Sequence, residues 1–175
     1  MITSQQVIEV LETYDGHSLR HIEVDNDGSV RSFVVNRLDP GRPYTLHIRW
    51  LYDGQVLGFR IRWPYKLQLD STIPKTLLQI NGSLGFGYLA IDGKYRVVYA
   101  FNYVCREDDD KDPPPELLKT ILDKMVGNLP SIDKALVAGR MADAGFSEDT
   151  AKSITRVLFS RGKNNRTSAD GRNGA

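Results

Sequence analysis

The sequence predicts an α+β fold: an antiparallel sheet of hairpins with helices packed on it, plus a C-terminal helical extension and a disordered polar tail. Three observations carry this. Asp53-Gly54 and Asp92-Gly93 stand between segments whose apolar residues recur at every second position, and Asp27-Gly28 between two whose alternation is imperfect, the pattern of half-buried strands joined by tight turns. Segments around Val7, Leu77 and Leu118 instead repeat apolar residues at helical spacing. The chain ends in "SRGKNNRTSADGRNGA", polar and free of aromatics, which offers too little apolar surface to offset the entropy of folding.

The elements follow in order. Val7, Ile8, Val10 and Leu11 form the stripe of a first helix from Thr3 to Thr13, capped by Thr3 or Ser4, with Gly16 past its end. "HSLRHIEV" and "SVRSFVVN" flank Asp27-Gly28 as a first hairpin. In "YTLHIRWLY", Tyr44, Leu46, Ile48, Trp50 and Tyr52 fall on one side and Thr45, His47 and Arg49 on the other. One face is therefore apolar and the other wet. After Asp53-Gly54, "QVLGFRIRW" puts Leu57, Phe59, Ile61 and Trp63 on one side and Val56, Gly58, Arg60 and Arg62 on the other. Pro64 is expected to end that strand, because it cannot donate to a central ladder.

"STIPKTLLQINGSL" reads as a helix capped by Ser71 or Thr72, with Pro74 in its first turn and Gly82 as a left-handed C-terminal cap. "GFGYLAI" and the strand from Lys94 to Val104 make a third hairpin, with Tyr95, Val97, Tyr99, Phe101 and Tyr103 on one side. The charged, proline-rich run "REDDDKDPPP" is a connector. Leu117, Leu118, Ile121, Leu122, Met125 and Val126 then form an amphipathic stripe. Two shorter helices are expected from Ser131 to Ala142 and from Ser147 to Phe159. "AGFSEDTA" looks like the loop of a ubiquitin-associated three-helix module; the plainer reading is a loop in which Ser147 caps a helix. The organisation is an α+β domain over residues 1–130, a helical extension over 131–160 and a tail over 161–175.

Composition narrows the function. The 175 residues include 23 basic and 22 acidic ones, a net charge of +1, which argues against nucleic acid or an anionic membrane as the main partner. "MITSQQVIEVLE" has neither the basic nor the apolar region of a signal peptide, and no apolar run approaches the roughly 20 residues that span a bilayer. Cys105 is the single cysteine, so a reducing, cytoplasmic setting is expected. Counting from Glu23 as a calcium loop puts Val34 where a bidentate glutamate is needed, and counting from Asp108 puts Lys119 there. His17, His21 and His47 have no carboxylate or cysteine at ligand spacing. No G-x-S-x-G, H-E-x-x-H or P-loop is present. The expectation is a protein without catalytic residues, cofactor or metal.

Two sets of residues remain. Aromatics crowd the strands, and Trp50, Tyr52, Trp63, Tyr99 and Tyr103 are the candidates for a protein-binding or dimer surface. Asn81, Gly82, Gly87, Asp92 and Gly93 are candidates for the joint between helix and hairpin. Asn81 is expected to bond neighbouring backbone there and to tolerate a left-handed conformation.

The order of helix, antiparallel strands, a helix ending "LLQINGSL", the hairpin "GFGYLAIDGKYRVVYAFNYV" and an amphipathic helix resembles the YbjN-like family. That family shares the type III secretion chaperone-like fold. Leu77, Leu78, Asn81, Gly87, Asp92 and Gly93 occupy its motif positions, the resemblance covers residues 3–128, and the chain from Ser131 onward lies outside it. The resemblance implies an α+β homodimer that binds protein segments, in a chaperone-like or regulatory role. A regulator with a small molecule lodged between the sheet and the helix from Pro114 to Gly127 is the alternative, and an enzyme the third reading.

Overall fold

The computed structural model describes residues 3–14, 19–36, 39, 41–52, 54–66, 73–105, 115–143, 145, 147 and 149–150. The elements run α1 (Ser4–Glu12), β1 (Leu19–Val24), β2 (Val30–Val34), β3 (Tyr44–Leu51), β4 (Val56–Lys66), α2 (Ile73–Ser83), β5 (Tyr88–Ile91), β6 (Arg96–Val104) and α3 (Pro115–Asp143). All six strands form one antiparallel sheet in the order β1-β2-β3-β4-β6-β5. The chain is α+β, as its patterning predicts.

Register explains the core. Ser32 faces Leu46, Leu46 faces Ile61, and Ile61 faces Tyr99. These residues point to the same side, because a strand alternates its side chains. With Val30, Val34, Tyr44, Ile48, Leu57, Phe59, Trp63 and Val97 they are buried against Val7 and Leu11 of α1, Leu77 and Ile80 of α2, and Leu118, Leu122, Met125, Leu129 and Ile132 of α3. The three described helices thus cover one face of the sheet.

Local chemistry sets the ends. Thr3 caps α1 in a capping box with Gln6: the Thr3 amide donates to Gln6 Oε1 at 2.7 Å and the Gln6 amide to Thr3 Oγ1 at 3.3 Å. The Tyr14 hydroxyl donates to Asp123 Oδ1 at 2.8 Å and ties the end of α1 to α3. Ser147 accepts from the Thr150 amide at 3.2 Å, the capping bond its position suggests.

Four expectations need correction. Pro64 does not end β4; the strand continues to Lys66 across a register irregularity between Arg62 and Lys66, and a bulge is where a strand tolerates the missing donor. Gly82 is not left-handed. It lies inside α2, whose end is closed by the Leu84 amide donating to the Ile80 and Asn81 carbonyls.

The Asp92-Gly93 turn is longer than a two-residue turn. Asp92 pairs with Arg96 across a loop of Gly93, Lys94 and Tyr95, and Tyr95, not Gly93, is left-handed with φ 58°. The β1–β2 loop repeats this form, with Gly28 at the left-handed position. Finally, α3 does not stop near Gly127. It runs through Pro130 to Asp143 as one helix. A proline there removes a helical bond and normally costs about 3 kcal/mol. Burial of Leu129, Ile132 and Leu136 and the bonds of Asp133 hold the turn that follows.

The connector at 106–114, Gly16, the Ser71/Thr72 cap, Asp53, the helix expected to Phe159 and the tail lie outside the described residues. No described helix is long and apolar enough to cross a membrane.

Candidate binding face

The face of the sheet turned away from the helices carries the wet half of each alternating strand. One row crosses the whole sheet in register: Glu23 opposite Arg31, Arg31 opposite His47, His47 opposite Arg60, Arg60 opposite Ala100, and Ala100 opposite Tyr88. The neighbouring row sets Arg49 opposite Gly58 and Gly58 opposite Asn102. Arg49, Asn102 and Tyr88 are exposed around half-buried Arg60, and exposed Val104 continues the patch.

Charge on this face is unevenly satisfied. Arg31 pairs with Asp25 at 2.8 Å and Glu23 at 3.3 Å, and Arg62 with Asp92 at 2.9 Å. Burial alone would raise the Asp92 carboxyl; the Arg96 and Lys94 amides and then the Arg62 charge outweigh it and lower it.

Arg60 differs. Its Nη1 donates to the Phe59 carbonyl at 2.9 Å and the Phe101 carbonyl at 3.2 Å. Among the described residues no carboxylate reaches it and nothing accepts from Nε or Nη2. Burial and then nearby Arg49 lower its pKa, with Tyr88 opposing them. Beside it, His47 is lowered from 6.5 by burial first, then by Arg62, Arg31 and Arg49, against Asp25. Gly58 is buried at the centre beneath its neighbours: a Cβ there would stand 3.1 Å from Leu51 Cδ1 and 3.6 Å from the Asn102 amide oxygen.

The aromatic candidates separate. Trp63 and Tyr99 are completely buried, so neither presents surface in this chain. Trp63 packs edge-on against Tyr44 with centroids 5.2 Å apart, and Tyr99 donates to the Phe86 carbonyl and accepts from Asn128 at 2.8 Å. Trp50 and Tyr103 flank Leu57 in register on the helix-covered side and are half-buried. Only Tyr52, at the β3–β4 turn with φ 52°, is largely exposed, at 76%.

The joint residues do come together. Asn81 spans the gap between α2 and β5: its Nδ2 donates to the Leu89 carbonyl at 3.0 Å and its Oδ1 accepts from the Leu89 amide at 2.6 Å. Asn81 itself is helical, without the left-handed backbone expected of it. Gly87 is left-handed with φ 71°, and a Cβ there would meet the Ala100 carbonyl and Tyr99 Cε2, each at 2.7 Å. Asp92 Oδ1 accepts from the Lys94 and Arg96 amides at 2.8 and 3.0 Å.

A second polar cluster is internal. Asp133 of α3 is 4% exposed. It accepts from Trp63 Nε1 at 2.9 Å and shares a hydrogen bond with the Tyr44 hydroxyl, which also lies 3.3 Å from Asn36 Oδ1. Burial pushes the Asp133 carboxyl up, and the Tyr44 and Trp63 bonds pull against it.

Sequence reading placed Arg49, Arg60 and Arg62 on the wet side of a strand without marking them as a site. Their signal was the arginine at alternate positions in "IRW" and "FRIRW". Comparison with family models, curated proteins and solved structures finds no match.

Proposed function

We propose that the protein is a non-enzymatic binding module that holds a segment of another protein against the face of its sheet opposite the helices. One observation carries the reading. Arg60 is a half-buried cation with an unused pair of donors, ringed by exposed Arg49, Tyr88 and Asn102. A cation kept part-dehydrated without a counter-charge is costly, and a bound partner offsets that cost. The resemblance to the type III secretion chaperone-like fold, whose secretion chaperones hold protein segments, points the same way. The space between α3 and the sheet supports a small-molecule pocket less well, since Phe59, Leu122 and Met125 fill it with no exposed surface.

Site-specific photo-crosslinking in cells tests this. A photoreactive residue at Asn102 or Tyr88 is expected to give discrete protein adducts, and one at exposed Lys119 of α3 none. Equal labelling from both faces, or none from either, would refute the proposal.

A further inference from the structure

We infer that Arg60 is a receptor for an acidic side chain carried within an extended segment of the partner. This rests on the binding-module reading above and names the chemistry of its occupant. The guanidinium is pinned from one side, because both Nη1 hydrogens are used on the Phe59 and Phe101 carbonyls. The opposite edge, Nε–H with Nη2–H, is a parallel donor pair of fixed spacing. That geometry fits the two oxygens of one carboxylate.

The neighbours add to the match. Arg49 supplies a second positive charge one row away. The described acids of this face sit elsewhere: Glu23, Asp25 and Asp27 by the β1–β2 hairpin, Asp92 by the β5–β6 turn. Among the described residues no acid occupies the centre. Exposed Tyr88 lies beyond buried Ala100 on one side of Arg60, and exposed Asn102 and Val104 lie on the other, so a carboxylate within a segment fits better than one at a chain end. His47, opposite Arg60, holds less positive charge than a free histidine because of its burial and its arginine neighbours.

The test is a titration of the full chain with synthetic peptides, followed by amide NMR and fluorescence anisotropy. One peptide alternates glutamate with valine and has both ends blocked. A second replaces each glutamate with glutamine. A third is the glutamine peptide with a free C-terminal carboxylate. The blocked glutamate peptide is expected to bind at least about tenfold more tightly than either of the others, the scale of a charge-assisted pair. Its shifts should fall on β4 and β6. Arg60→Lys keeps the charge but loses the fork, and is expected to weaken that peptide about tenfold. Arg42→Gln, in the exposed pair with Asp39, should bind like wild type.

Equal binding of glutamate and glutamine peptides on β4 and β6 would overturn the acidic receptor and keep the docking face. So would preference for the free terminus. Shifts on the helices alone, or none, would overturn both. Shifts on β4 and β6 that follow protein concentration without peptide would assign the face to a second copy, and would also overturn the inference.

Discussion

Asp133 offers the sharpest test of how α3 is fixed to the sheet. Asp133→Ala removes the acceptor of the buried Trp63 indole N–H. The Tyr44 hydroxyl keeps an alternative, since Asn36 Oδ1 is 3.3 Å away. One donor is therefore stranded outright, which costs about 1–3 kcal/mol. The void left by the carboxylate adds to this, giving a loss of about 2–4 kcal/mol. Asp133→Asn behaves differently. Its oxygen still accepts from Trp63, its amide donates to Tyr44, and Tyr44 passes its own proton to Asn36. The second amide hydrogen is the one donor left over and no void is added, so the expected loss is about 1 kcal/mol. Urea unfolding followed by tryptophan fluorescence should separate the two variants by about 1 M in midpoint. If Asp133→Asn is as destabilised as Asp133→Ala, the bonding pattern is not what holds this residue, and the reasoning fails.

Three further outcomes are expected. Asn81→Ala strands the Leu89 amide and should lower stability by about 1–3 kcal/mol; a thermal melt like wild type would contradict the clamp. Gly87→Ala should cost more than the roughly 1–2 kcal/mol of a left-handed alanine, because its Cβ also collides with the Ala100 carbonyl; a smaller loss in denaturant midpoint would contradict that collision. Below pH about 6.5 the unfolded chain takes up a proton at His47 that the folded chain, with its pKa lowered, resists. Stability should therefore fall as pH drops through this range, and His47→Gln should flatten that slope; identical slopes would refute it. Asp133, with its pKa raised, acts in the opposite sense: its contribution is full below the unfolded value and is lost as pH rises through the folded one.

Alternation was enough to read the sheet. It put Leu46, Ile48, Phe59 and Ile61 on one face and His47, Arg49, Arg60 and Arg62 on the other, and the register bears this out. It gives parity, not function. The same rule that sorts Trp63 from Arg62 does not say that a carboxylate from α3 lies ready for the Trp63 indole. Nor does it say that His47, Arg60 and Ala100 share one row, because register depends on loop length. An Asp-Gly pair favours a two-residue turn. Here the Asp92 carboxylate instead gathers the Lys94 and Arg96 amides and places Asp92 before a three-residue loop. The length of α3 was hidden for a related reason. Pro130 reads locally as a stop, and only tertiary burial on both sides of it carries the helix through.

The bond pair between Asn81 and Leu89 also bears on how this protein behaves in a crowded solution. A sheet is a template, and an outer strand can recruit the next chain that presents a matching backbone. A carboxamide is a peptide group in miniature, with one donor and one acceptor side by side. By offering both to the Leu89 backbone, α2 supplies a single residue of a seventh strand and withholds the rest. Aspartate could not donate, so the stop depends on the amide. A protein that has lost this amide is expected to leave the Leu89 backbone pair open on its edge strand as well as to lose stability.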